Sequence, residues 1–481
     1  MVSAVFKTVG CTAAAAGSIP ASSDINMHSV QEKHNSAYSH LPQIGKLLET
    51  PQLKKWFPLI TRPFTSKIAS QTISDIRLSK NAKNTSEREI IKEIEKRCAE
   101  ASRRRIIKVV NATGIILHTN MGRSPIPTDV WNKAAAINTG YSNLELNLST
   151  GKRGLRNGLI PELLSILTGA EASLVVNNNA AAVFLILSTI AKGKEVIVSR
   201  GEQVQIGGGF RIPEILKLSG SKLVEIGTTN ITTLSDYKNA LTENTALILL
   251  VHRSNFRIRG FTKRPSVSDI ASIVPKGIVI AVDQGSGNIT ENIPGEIKAE
   301  HYLKNGAELV CFSGDKLFGG PQAGIITGKK DLIQKLSKNQ LMRVFRPGKT
   351  IFSLLEEILI RKMNGELNGH AENILNLSIA ELKQRGKKLI RGLNRRYVDL
   401  IDSLISTGGG SAPDELFPSV SVEIKTPDKP DRTLKKLREL DIPIIGTISN
   451  DRVLLNLATI LPQELPIVRS AIKELLKEYV E

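Results

Sequence analysis

The chain has 481 residues, 41% hydrophobic and 23% charged, which excludes a wholly disordered polymer and predicts about three domains at ~150 residues each. Nothing approaches the roughly 18 uninterrupted apolar residues of a membrane span, and the scattered Cys11, Cys98 and Cys311 offer neither a disulfide framework nor a metal site, which fits a reducing, cytoplasmic compartment. The net charge is +19 and front-loaded: residues 1–108 hold 18 Lys and Arg against 9 Asp and Glu, a pattern of polyanion contact or of a solvated face.

Residues 1–40 read as a flexible leader, because the apolar stretch around Ala13–Ala16 is broken by Lys7, Thr8 and Gly10 and is too weak for a secretory peptide. From Leu41 to residue 84, short helices closed by Pro51 and Pro58 form a small helical domain. Its Lys54, Lys55, Trp56 and Phe57 make either a basic aromatic surface for nucleic acid or part of a small core. Ser86 and Glu89 form a capping box, followed by Ile90, Ile91, Ile94, Cys98 and Ala101 at helical spacing. This segment, 85–105, reads as a linker helix.

Residues 106–365 read as a large α/β domain. Seven β-rich apolar runs, Ser173–Asn177, Glu195–Ser199, Lys222–Ile226, Leu247–His252, Ile278–Asp283, Glu308–Phe312 and Gly324–Thr327, lack polar alternation, as strands buried on both faces do. Helical stretches such as Ala180–Ala191 and Ser266–Ile273 separate them, which predicts a doubly wound, mostly parallel sheet with its ligand at the carboxyl ends of the strands. Helices are expected over Ile351–Met363 and Glu372–Ile405. A turn at Gly408–Ser411 and a β-α-β-α pattern then complete a small C-terminal α/β domain, 366–481.

The stretch CFSGDKLFGGPQAG places Lys316 just past a strand, beside Gly319 and Gly320. A lysine at the mouth of a buried sheet is costly when charged, and one use for it is condensation with an aldehyde cofactor, with Ser313 and the glycines at a phosphate; the alternative is an exposed loop lysine. In VVNNNAAAV a strand turns into a helix, so Asn178, Asn179 and Ala180 are nearest an anion bound at the helix start, or simply cap the helix. Asp283 ends another strand, where a carboxylate can hold a pyridinium nitrogen protonated or cap a helix. Phosphate turn, aspartate and lysine in this order are the layout of pyridoxal-phosphate enzymes of the aspartate-aminotransferase fold (fold type I).

Longer motifs carry a closer resemblance. NATGIILHTNMGRSP (111–125), YSNLELNLSTGKRG (141–154), VSRGEQVQIGGGFRIP (198–213), EIGTTN (225–230), VHRSNFRIRGFT (251–262) and SGDKLFGGPQAGIITGKK are similar to bacterial selenocysteine synthases, L-seryl-tRNA(Sec) selenium transferases, in order from about Leu41 to the C-terminus. The resemblance implies a homodecamer, a pentamer of dimers, with pyridoxal 5'-phosphate on Lys316 and an N-terminal domain that grips tRNA(Sec) charged with serine. It implies β-elimination of the seryl hydroxyl to give aminoacrylyl-tRNA, then addition of selenium from selenophosphate. Lys316 is then the base, Asp315 steers its proton transfers, and Arg123, His118, Arg343 and Arg346 line the substrate site. Arg343 and Arg346, three residues apart, are expected to share a helical face as the donor's anion site. His252 is divided between site and packing, and Glu202 and Gln203 are candidates for the ring face. Two departures stand out: Leu457-Ala458-Thr459 lacks the family's arginine, and Arg346-Pro347-Gly348 lacks an acid after the second arginine. The rival readings are a pyridoxal-phosphate lyase acting on a small amino acid or amino sugar, and a non-catalytic RNA-binding relative.

Overall fold

The computed structural model describes residues 41–79, 84–253, 255–289 and 293–479, so the expected leader lies outside the described residues. By its contacts the chain divides into two units after Ile107.

The first unit is helical. Short helices Ile44–Leu48, Pro51–Lys54 and Phe57–Ile60 precede α1 (Arg62–Leu78) and α2 (Glu87–Arg103). Pro51 and Pro58 do not close helices as expected; each sits in a first turn, where the missing N–H has no partner to lose. The Ser86–Glu89 capping box forms as its spacing predicts. The linker reading of α2 needs correction, because Ile90, Ile94, Cys98 and Ala101 are buried in one core with Leu47, Leu53, Ile60, Ala69 and Ile73. Cut away from α2, those side chains would face water. Burial pushes the Cys98 thiol up to about 11, so it is packing and not a reactive group. Trp56 packs partly against this core, while Lys54 pairs with Glu49 at 2.9 Å and Lys55 with Glu95 at 2.6 Å.

The second unit is built on a seven-stranded sheet: β1 (Ala172–Val176), β2 (Glu195–Ser199), β3 (Lys222–Ile226), β4 (Thr245–Val251), β5 (Val279–Gly285), β6 (Leu309–Ser313) and β7 (Gly324–Gly328). All seven expected runs are strands. Their order is β1-β7-β6-β5-β4-β2-β3, with β7 antiparallel to both neighbours and the other pairs parallel. Side chains alternate between two cores, so that Ile197 faces one and Val196 and Val198 the other. Helices Thr128–Thr139, Ile160–Thr168 and Lys349–Met363 cover the first face; α3 (Asn179–Ile190), Ile212–Ser219 and Lys330–Lys338 cover the second.

The small domain has an antiparallel sheet of β8 (Val398–Gly408), β9 (Ser411–Ile424), β10 (Thr447–Ser449) and β11 (Arg452–Asn456), in the order β8-β9-β11-β10. The helix expected over Glu372–Ile405 is not continuous. It breaks into His370–Leu375 and Ile379–Ile390, the second restarted by a Ser378–Glu381 capping box, and Gly392 at φ 75° turns the chain into β8. Residues at the start of the unit also belong to this domain: Val110–Asn111 pairs in parallel with Ile444–Ile445, and Val110, Ala112, Ile116 and Leu117 join its core. Among the described residues no helix is long and apolar enough to cross a membrane.

Candidate active site

The carboxyl ends of β4, β5 and β6 lie side by side, with Val251 opposite Asp283 and Asp283 opposite Cys311. Together with the start of α3 they enclose a cavity of about 240 Å³ that Asn178, Asn179, Ala180, Asp283, Ser313, Asp315, Lys316 and Arg123 all help to line. Of the residues expected at the site, these eight converge.

At the α3 turn the side chains are occupied. Asn178 Oδ1 accepts the Ala181 amide at 2.8 Å and caps the helix, and Asn179 Nδ2 donates to Asp283 Oδ1 at 2.8 Å. What remains for an anion is the start of the first turn, where the Asn179 and Ala180 amides have no partner within the helix. Gly324 lets β7 pass this turn, since a Cβ there would stand 2.1 Å from the Asn178 carbonyl oxygen.

Asp283 is buried, and desolvation raises its pKa against the opposing pull of Asn179, Lys316 and His252. A cationic ring nitrogen would satisfy that carboxyl. Lys316 is 5% exposed; burial first, then the Arg123 guanidinium, lowers its pKa, while Asp283, Asp315 and Glu296 oppose the shift. A lysine so placed holds more of its amine neutral and nucleophilic at ordinary pH. Between the two lies Gly285, at φ 69°, where a Cβ would stand 3.7 Å from Asp283 Oδ1 and 4.0 Å from Lys316 Nζ. The missing side chain leaves the space between acid and amine open. A buried acid for a ring nitrogen, a buried amine for an aldehyde and helix-start amides for a phosphate, all lining one cavity, fit pyridoxal phosphate.

Arg123 enters from a tight turn in which its amide donates to the His118 carbonyl at 3.1 Å. Its φ of 61° is a left-handed conformation that costs a non-glycine residue roughly 1–2 kcal/mol. Its guanidinium donates to Asp315 Oδ2 at 2.6 Å, while Asp315 Oδ1 is buried without a hydrogen bond.

A sequence profile of the family described as L-seryl-tRNA selenium transferase (SelA) matches residues 109–461, from the start of the small-domain core through the whole cavity. The chain belongs to this family. The L-seryl-tRNA(Sec) selenium transferase of Campylobacter fetus is 39% identical over 89% of this chain and 96% of its own. That of Aquifex aeolicus is 39% identical over 92% of this chain and 99% of its own. Among solved structures, a D-glucosaminate-6-phosphate ammonia-lyase superposes with a TM-score of 0.56 at 20% identity, covering 78% of this chain and 96% of that one. It shares the aspartate-aminotransferase-like fold.

Within this family member, other expected residues fall outside the cavity lining. His118 builds the Arg123 turn through its backbone, and burial lowers its imidazole pKa. Gly319 and Gly320 pack protein against protein: a Cβ would meet Gly369 Cα at 3.3 Å and the Phe318 ring at 2.8 Å, respectively. Arg343 and Arg346 do not share a helical face, because the helix Leu341–Val344 ends before Arg346. Arg343 is exposed, and Arg346 donates to Glu145 Oε1 at 3.1 Å, a carboxylate it shares with Arg153 and Arg156. The segment is nevertheless tied to the strand that leads into the α3 turn, since Asn177 N donates to the Phe345 carbonyl at 2.9 Å. Glu202 accepts the Val251 amide at 3.0 Å and faces a neighbouring cavity of about 290 Å³, and Gln203 pairs with Glu225. Sequence reading missed Phe210 and Gln322 and left His252 undecided; all three line the site. His252 follows β4 directly, so its strand-end place was a usable signal.

Proposed function

We propose that this protein converts L-seryl-tRNA(Sec) to L-selenocysteinyl-tRNA(Sec), with selenophosphate as donor and pyridoxal 5'-phosphate held by the described cavity. The observation that carries the reading is the buried pair of Lys316 and Asp283 across Gly285, in a member of the selenium transferase family. Asp283 would hold the ring nitrogen, the α3 amides and Ser313 the phosphate, and Lys316 the aldehyde carbon. When bound, the cofactor supplies an electron-poor ring that acidifies the proton on the α-carbon of an attached amino acid. Lys316, once the amino acid's own amine has taken its place, moves that proton, because its amine is buried in the cavity where desolvation opposes its charged form. Asp315, fixed by Arg123, steers the amine. Loss of the seryl hydroxyl as water is followed by addition of selenium at the β-carbon that lost it, with hydrolysis of the donor's P–Se bond releasing phosphate, and Arg343 and Arg346 hold the anionic donor near the α3 turn. The basic N-terminal unit grips the tRNA, with α2 part of that unit. The working assembly is a cytoplasmic homodecamer, a pentamer of dimers.

Incubation with seryl-tRNA(Sec) and selenophosphate, followed by hydrolysis of the ester bond, should yield selenocysteine. Ammonia release from a free amino acid or amino sugar, without selenium transfer, would replace this reading with a lyase. RNA binding without turnover of either kind would leave a non-catalytic relative.

A further inference from the structure

Among the described residues, the one imidazole that lines the cavity has an unusual neighbour. His252 Nε2 stands 3.5 Å from Glu296 Oε2, at the outer limit of hydrogen bonding, both side chains are almost wholly buried, and neither atom has a closer partner. A buried imidazole and carboxylate left at the limit of bonding distance mark a geometry held from elsewhere. The other oxygen of Glu296 is held from elsewhere: it accepts the amide of Ala412, near the start of β9 in the β8–β9 hairpin. Burial alone would raise the Glu296 carboxyl, but His252 and the Ala412 amide keep it below the usual range, so it faces the ring as a carboxylate.

The same hairpin also grips the loop that leaves His252. Arg257 pairs with Glu415 at 2.6 Å and Arg259 with Asp414 at 3.1 Å. Two of the gripping residues, Ala412 at φ 40° and Asp414 at φ 67°, have left-handed backbones without being glycine. Such strain persists only where surrounding structure enforces it. His252 is fixed at its other side by its own amide, which donates to the Asp283 carbonyl at 2.9 Å.

We infer that Glu296 is a positioning residue through which the small-domain hairpin sets the orientation of the His252 ring in the active-site cavity. His252 touches the reacting space and Glu296 does not line it; beyond the charge it sets against Lys316, Glu296 works through the His252 ring. The inference rests on the proposed activity for its catalytic consequence, but not for its structural one.

The test compares E296Q with R257Q/R259Q, which loosens the hairpin without touching the cavity. Cofactor-free full-length protein is treated with diethyl pyrocarbonate at fixed pH, and each histidine is followed by peptide mass spectrometry. Modification of His252 should speed up several-fold in E296Q and less in R257Q/R259Q, with His118 and His370 unchanged. In the loaded enzyme, E296Q should lower kcat roughly 10–100-fold with KM for seryl-tRNA nearly unchanged, as misorientation does. Wild-type protection of His252 in both variants would overturn the inference. So would an equal rise at all three histidines, which would mark Glu296 as merely structural. If His252 responds as expected in a protein that transfers no selenium, the positioning stands and the proposed activity falls.

Discussion

Strands β4, β5 and β6 bury both faces, and their functional groups gather at one end: Asp283, Ser313 and, just beyond the strand ends, His252 and Lys316. Strands β8 and β9 spread theirs along their length, where Asp399, Asp402, Asp414 and Glu415 meet solvent or surface lysines and arginines. The two sheets therefore value a carboxylate differently. At the end of a doubly buried strand it loses its water and is retained only with a partner, whereas on a half-exposed strand it is solvated at little cost. Chemistry collects where desolvation is forced.

Substitutions at the carboxyl ends of the large sheet's central strands should hurt most. Replacing Lys316 with Ala should lower selenium transfer by ~10⁴-fold or more. Borohydride treatment of the wild-type holoenzyme should remove its visible band and leave the pyridoxyl group on the Lys316 peptide; label on another lysine would move the centre. Asp283→Asn should cost roughly 10²–10³-fold and weaken cofactor retention in dialysis, since an amide does not hold a protonated ring nitrogen. Arg343→Ala and Arg346→Ala should each lose ~10²-fold at limiting selenophosphate while seryl-tRNA binding is kept. Wild-type rates there would place the donor elsewhere, with Arg123 next to examine.

Arg123→Gln gives a subtler effect. The guanidinium lowers the pKa of Lys316, so its removal lets that pKa rise and reduces the neutral amine at a given pH. The acid limb of pyridoxal phosphate capture by the cofactor-free protein should then move to higher pH. An unmoved limb would mean that burial alone sets the amine. Asp402→Asn on β8, paired with Lys383 at 2.9 Å but 75% exposed, should change stability by less than about 1 kcal/mol and leave transfer intact. A large loss there would erase the contrast between the sheets.

The same contrast decides what was legible in the sequence. The seven core strands could be read because unbroken apolar runs of strand length have few other uses. β8 was missed because VDLIDSLIST fits a helical period as well as an alternating one, and only pairing with β9 decides between them. Asp283, Ser313 and Lys316 were legible from their strand-end places. The side-chain assignments at the α3 turn were not: whether Asn179 serves a phosphate or Asp283 depends on a residue far along the chain. Pro347, close behind Arg346, was a sequence signal against a shared helical face for the arginine pair. The His252–Glu296 contact has no local signature, since it is made by two loops and held by a strand of the small domain.

The pairing of Val110–Asn111 with Ile444–Ile445 has a consequence for synthesis. The apolar segment Val110–Leu117 leaves the ribosome early, yet the strands and helices that bury it are encoded at the far end of the unit. At translation rates of roughly 5–20 residues per second, it must wait about 20–60 s for its partners. The large sheet, complete at Gly328, has the chance to form first, and the small domain closes only when the chain's end delivers the rest of its core. Nascent chains halted between these points should hold a sheet without a finished small domain, and should depend most on whatever shields apolar segments in the cell.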